Sequence, residues 1–129
     1  MTGPQIIRLV IAVPTTTNKL HCIAGGRARN SRQYQDWKEL AGKEILAQRP
    51  RLQCRSLPVQ PYDVQIRIAV SDRGDIDNRA KALLDLLHEM RLTPDDGLLY
   101  DLRITRSPEV PIGVVHVIAK VHAPEVAAP

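Results

Sequence analysis

The chain's 129 residues suit one domain, expected to bury roughly two-thirds of its unfolded surface. An apolar content of 43% with 25% charged residues excludes wholesale disorder, and 3% aromatics with no Phe require an aliphatic core. The formal charge is +4, with ten basic against three acidic residues up to Gln60 and eight against eleven from Pro61 onward. A half suited to gripping phosphates is thereby joined to a half suited to a cation.

Ile6–Val13 (IIRLVIAV) is β-branched, apolar and ended by Pro14, which predicts a strand. The run is too short for a signal peptide or membrane span, so the expected location is the cytoplasm, with no membrane association. Pro14 to Asn30 reads as a long turn-rich loop with a Gly-Gly pair and interleaved arginines. Ser31 can cap a helix from Arg32 to Gln48, whose apolar face is Tyr34, Trp37, Leu40, Ala41 and Ile45. Tyr34 and Trp37 have the spacing of core residues, not of a base-stacking platform. Pro50 stops the helix, and Val64–Val70 then alternates as a half-buried strand.

Ser71–Asp77 (SDRGDID) precedes a second helix, Asn78 to about Arg91, with Ala80, Leu83, Leu84 and Leu87 on its buried face. Thr93-Pro94-Asp95-Asp96-Gly97 signals a turn, and strands follow near Leu98–Ser107 and Val114–His122. The order β-α-β-α-β-β predicts a mixed sheet carrying two helices, an α/β or α+β fold. Residues 1–122 read as one domain and 123–129 as a flexible tail.

Cys22 and Cys54 lack metal-ligand spacing and read as inert thiols, with a single disulfide as the alternative. Of the four histidines, His116 and His122 alternate with valines and read as surface or interface residues.

The chemistry concentrates around Asp75. In extended backbone Asp75 and Asp77 project to one side, and Asp77 stands at the expected N-cap, where the helix dipole favours a negative charge. Lys81 lies one turn further on the same helical face. An antiparallel return from the second helix is expected to bring Asp96 beside the strand end that carries Asp75. Three close carboxylates repel unless a divalent cation compensates. Oxygen ligands without His or Cys suit Mg2+, with Mn2+ as a substitute. Phosphodiester hydrolysis needs such a site, with Lys81 orienting the water or steadying the phosphate. Taken residue by residue, Asp-x-Asp before a helix and Asp-Asp-Gly are equally what a cap and a tight turn contain.

The order of the pieces is more specific. Asp75-Ile-Asp77-Asn78-Arg-Ala-Lys81-Ala-Leu-Leu-Asp85, followed by Asp95-Asp96-Gly-Leu-Leu-Tyr-Asp101, closely resembles the RusA-type Holliday junction resolvases. Their hallmark is D-x-D-N-x-x-K at a strand-to-helix junction with a further D-D pair after the helix. The resemblance implies a RusA-like fold and a Mg2+-dependent endonuclease resolving Holliday junctions by paired symmetric nicks in DNA recombination and repair. It implies Asp75, Asp77 and Asp96 as metal-binding carboxylates, Lys81 as the catalytic cation and Asn78 as a motif residue beside the metal. Asp85, one turn beyond Lys81 on the same face, reads as a solvated helix acid, with pairing to Lys81 as the alternative; Asp95 and Asp101 are turn or supporting residues. The upstream loop, Pro14-Thr15-Thr16-Thr17-Asn18-Lys19, departs from a double-proline, serine-led version.

Asn18, Lys19, Arg27, Arg29, Arg32, Arg73, Asn78 and Arg79 are the expected DNA contacts, positioning the backbone without reading bases. Two symmetric nicks in a four-way junction call for a two-fold homodimer. No small-molecule cofactor is expected. The alternatives are a metal nuclease for other branched or single-stranded DNA, a non-catalytic DNA-binding module of the same fold, and a hydrolase of small phosphoesters.

Overall fold

The structure, a computed structural model, describes residues 5–14, 21–24, 27–30, 32–72 and 76–123; for 21–24, 27–30, Asp77 and Asn78 it describes the backbone alone. The elements are β1 (Ile6–Ala12), β2 (His21–Ala24), β3 (Arg27–Asn30), α1 (Arg32–Gln48), β4 (Tyr62–Ala69), α2 (Ile76–Glu89), β5 (Leu99–Ser107) and β6 (Val114–Val121). Short 3-10 turns at Arg49–Arg51 and Asp96–Leu98 follow the two helices.

Four strands form a mixed sheet in the order β1-β6-β4-β5. β6 pairs antiparallel with both β1 and β4, whereas β4 and β5 run parallel. Strand alternation places Ile7, Leu9, Ile11, Val64, Ile66, Ile68, Val115, Val117 and Ala119 in the core. Arg8 and Val10, between them on β1, stay exposed. The helices close the buried side: Tyr34, Trp37, Ala41 and Ile45 of α1 join Ala80, Leu83, Leu86 and Leu87 of α2 in the same cluster. A mixed α+β fold with a four-stranded sheet and two helices results, as the pattern of the sequence leads one to expect.

Polar contacts fix how the helices sit. Trp37 Nε1 donates to the Ala12 carbonyl at 2.8 Å, tying α1 to the end of β1. The Gln48 side-chain amide both donates to Val10 O (2.7 Å) and accepts from Val10 N (3.0 Å). It thus continues the ladder along the outer edge of β1, blunting an edge that would otherwise be open. Lys38 Nζ reaches Glu89 Oε2 at 2.7 Å, linking α1 to the C-terminus of α2. There α2 ends in a Schellman motif: Leu92 N bonds Leu87 O, Arg91 N bonds His88 O, and Arg91 takes φ 59°.

Several details differ from the expectations. The turn-rich stretch contains a hairpin, β2–β3, with Ala24 opposite Arg27; the Gly-Gly pair between two short strands is its only mark in the sequence. β4 begins two residues earlier than expected and ends before Val70, which is 56% exposed in a turn. Leu40 is 52% exposed because it lies between the buried rows of α1, and Leu86, not Leu84, completes the inner face of α2. α2 starts at Ile76 and stops at Glu89, so Asp77 lies one residue inside the helix and not at its cap.

Candidate metal and DNA site

β4 delivers the chain to the acidic segment and α2 carries it back. The turn after β4 is closed by Asp72 N donating to Ala69 O at 3.1 Å. Asp75 and Arg73, like Asn18 and Lys19, lie outside the described residues. Asp77 and Asn78 occupy the first turn of α2, where the positive end of the helix dipole favours anionic groups. From there Asp77, Lys81 and Asp85 recur every four residues, one stripe along the helix.

The return from α2 corrects one expectation. β5 runs parallel to β4, with Leu99 beside Tyr62 and Ser107 beside Ala69. Asp96, just ahead of β5, therefore lies at the entry end of β4 and not beside the exit that leads to Asp75. The reason is that α2 itself makes the reversal, leaving no need for an antiparallel strand.

What Asp96 meets instead is the middle of α2. Asp85 is half-buried, and its carboxyl is raised above the usual range first by burial and then by the charge of Asp96, with Lys81 opposing. Asp85 is thus no solvated helix acid. It belongs to an electrostatic cluster with Lys81 and Asp96, and its i+4 spacing from Lys81 is the signal in the sequence that points there. Nothing in the sequence singles out Tyr62. It is 1% exposed, its hydroxyl points at Pro94 O (3.5 Å), and its pKa is raised by burial, countered by a hydrogen bond with Thr93 and raised further by Asp96 and Asp95. A buried Tyr at the start of β4 thus supports the Thr93–Asp96 turn from beneath.

Among the described residues, no three His, Cys, Asp or Glu side chains are placed to hold a metal ion. Asp96 and Lys81 are exposed. Asp101 pairs with Arg103 two positions along β5, N···O 3.2 Å.

The expected DNA contacts divide. Arg32 is exposed at the start of α1, and Arg27 and Arg29 lie on β3. Arg79 is different: it is 6% exposed and ion-paired with Asp72, itself 8% exposed, so its guanidinium is withdrawn from any surface a phosphate could reach. Its position two residues beyond Asp77 turns it about 200° around the helix, toward the core. Tyr34 (7% exposed) and Trp37 (5%) are core residues, as their spacing implies. His122 joins a surface cluster, bonding the Asp63 carboxylate through Nδ1 at 2.9 Å and stacking on Tyr100. Cys54 is a free thiol, half-buried. Among the described residues no helix is long and apolar enough to cross a membrane.

A family model described as Endodeoxyribonuclease RusA matches residues 12–118, which takes in every element from the end of β1 to most of β6. No match among curated proteins accompanies it.

Proposed function

Because the chain belongs to the RusA endodeoxyribonuclease family, we propose that it resolves Holliday junctions by a divalent-cation-dependent pair of symmetric nicks. In this reading Asp75 and Asp77 hold the cation, Mg2+ with Mn2+ as a substitute, Lys81 acts beside the scissile phosphate, and Asp96, at the other end of β4, belongs to the acidic patch around Asp85. The observation that carries the reading is the family match over residues 12–118, which spans both the Asp75–Lys81 segment and the Asp95–Asp96 turn. The charge of Asp96 acting on Asp85 adds that the Asp-Asp turn lies near the middle of the helix that begins at the D-x-D segment. The donor chemistry fits: every candidate ligand is a carboxylate, a hard oxygen donor of the kind that Mg2+ takes.

A bound cation would supply Lewis-acid activation of water and shielding of the leaving oxygen. The protein's own part is to hold the phosphate and its surroundings. Lys81, exposed and one turn from Asp77, would meet a phosphate oxygen of the bound DNA. Asp85, on the next turn, keeps that ammonium on the acidic face. Arg27, Arg29, Arg32, Lys19 and Arg73, with Asn18 and Asn78, grip the DNA backbone, so that the substrate is recognised by shape. A two-fold homodimer matches two sites to a two-fold junction. Residues 1–122 act as the single nuclease domain.

The deciding experiment compares wild type with Asp77→Asn on a mobile four-way junction, a flap and a single strand, with and without Mg2+. The proposal expects Mg2+-dependent paired nicks preferring the junction and a loss of at least about 100-fold in the variant, with junction binding retained. Equal cutting of flap and junction would redirect the reading to a broader branched-DNA nuclease. Cleavage indifferent to the substitution would end it.

A further inference from the structure

Asp72 and Arg79 bracket the segment that carries Asp75 and Asp77, and both are more than nine-tenths buried. Arg79 Nη1 forms an ion pair with Asp72 Oδ2. The Asp72 carbonyl accepts a hydrogen bond from Arg106 Nη1, and its amide closes the turn onto Ala69. Arg106 stands on β5 opposite Ile68 of β4. One residue therefore gathers the end of β4, the far part of β5 and the first turn of α2.

This is an unusual place for charge. Taking both groups out of water is costly, and an apolar pair of similar volume would pack as well or better. Arg79 Nε is also buried without a hydrogen-bond partner among the described residues, a further cost. What an ion pair gives that an apolar pair does not is a single geometry: it holds only when Arg79 faces Asp72. Since Arg79 lies two residues beyond Asp77, fixing its direction fixes the rotational phase of the first helical turn. The angular position of residue 77, and with it the Asp77–Lys81–Asp85 stripe, follows.

We propose that the buried Asp72–Arg79 pair, tied to β5 through Arg106, is a positioning device that sets the phase of α2 for cation binding at Asp77. The inference rests on the reading of Asp77 as a metal ligand and adds to it the residues that aim it.

The test uses the full chain and three variants: the double Asp72→Asn/Arg79→Met, which removes both charges together; Arg79→Lys; and Arg106→Gln. Four measurements are made on each: thermal melting, hydrogen exchange of the amides from Arg79 to Ala82, Mn2+ affinity by electron paramagnetic resonance, and single-turnover junction cleavage. The double variant is expected to melt close to wild type, yet to bind Mn2+ about tenfold more weakly and cleave about tenfold more slowly, with junction affinity unchanged. Exchange from Arg79 to Ala82 should quicken while Leu83 to Leu87 stay protected. Arg79→Lys should recover part of the loss, and Arg106→Gln should show a smaller change in the same direction. Folded variants with wild-type Mn2+ affinity and wild-type exchange from Arg79 to Ala82 would overturn the proposal. Should the double variant fail to fold, Arg106→Gln decides alone, because Arg106 is exposed and its removal opens no core. Asp77→Asn is run alongside. If it too binds Mn2+ and cleaves normally, the ligand assignment has failed; if it loses both while the pair variants keep both, the positioning proposal alone has failed.

Discussion

Asp85 and Asp96, one in the middle of α2 and one on the turn that follows it, repel each other through a half-buried space that Lys81 only partly neutralises. The arrangement costs the folded protein stability when both groups are ionised. Burial and Asp96 raise the Asp85 carboxyl in the folded state above its unfolded value. The folded protein therefore holds that proton more tightly, and the resulting stabilisation is fully present below the unfolded carboxylate pKa and lost as pH rises through the raised value. Asp85→Asn removes this dependence. Its melting temperature relative to wild type should climb as pH rises from the ordinary carboxylate range toward neutrality in the presence of a chelator. A difference that stays flat or falls would contradict the coupling. Mg2+ should stabilise wild type more than the variant at neutral pH.

The cationic residues of the hairpin make a separate claim about DNA. Changing Arg27 and Arg29 together to Ala should weaken junction binding and flatten the plot of log affinity against log salt. The slope should fall by about two, one for each phosphate that an arginine no longer neutralises. Arg79→Ala should leave that slope unaltered, since its guanidinium is buried against Asp72. Titrations at four salt concentrations separate the two cases.

Arg91 offers a gain instead of a loss. It occupies the left-handed position that ends α2, φ 59°, where a side chain is strained. Arg91→Gly should stabilise the fold by up to about 1 kcal/mol in urea unfolding, with cleavage unaffected. A destabilised variant would mean that the arginine side chain holds more than its backbone strain costs.

Ile66, fully buried at the centre of β4, tests the core that positions everything else. Ile66→Ala should cost about 2–5 kcal/mol in denaturant unfolding. The folded fraction should keep its Mg2+ response, because the substitution reaches no acidic residue.

Much of the architecture can be read from the sequence because apolar spacing is a direct record of burial. α1 runs over Arg32–Gln48 as its periodicity and Pro50 dictate, and the inward rows of β1, β4 and β6 are those that alternate in the chain. The family is legible from Asp75 to Asp101 because those spacings reflect shared chemistry. Other features depend on partners distant in sequence. Whether β5 runs with β4 or against it is not written in either strand, and the parallel choice puts Asp96 at the Tyr62 end. Arg79 resembles a phosphate ligand because a charge in a loop-to-helix segment is usually solvated; its burial follows from Asp72, whose role no local pattern announces. Tyr62 likewise gains its place beneath the Thr93–Asp96 turn only through tertiary packing.

The parallel pairing of β4 with β5 also constrains how this protein can change over evolutionary time. With both strands fixed side by side, α2 must cross the sheet in a set number of residues. Inserting or deleting one would rotate everything downstream by about 100°, parting Lys81 and Asp85 from Asp77 or swinging Leu83 and Leu87 out of the interior. Length variation among relatives should therefore avoid this helix.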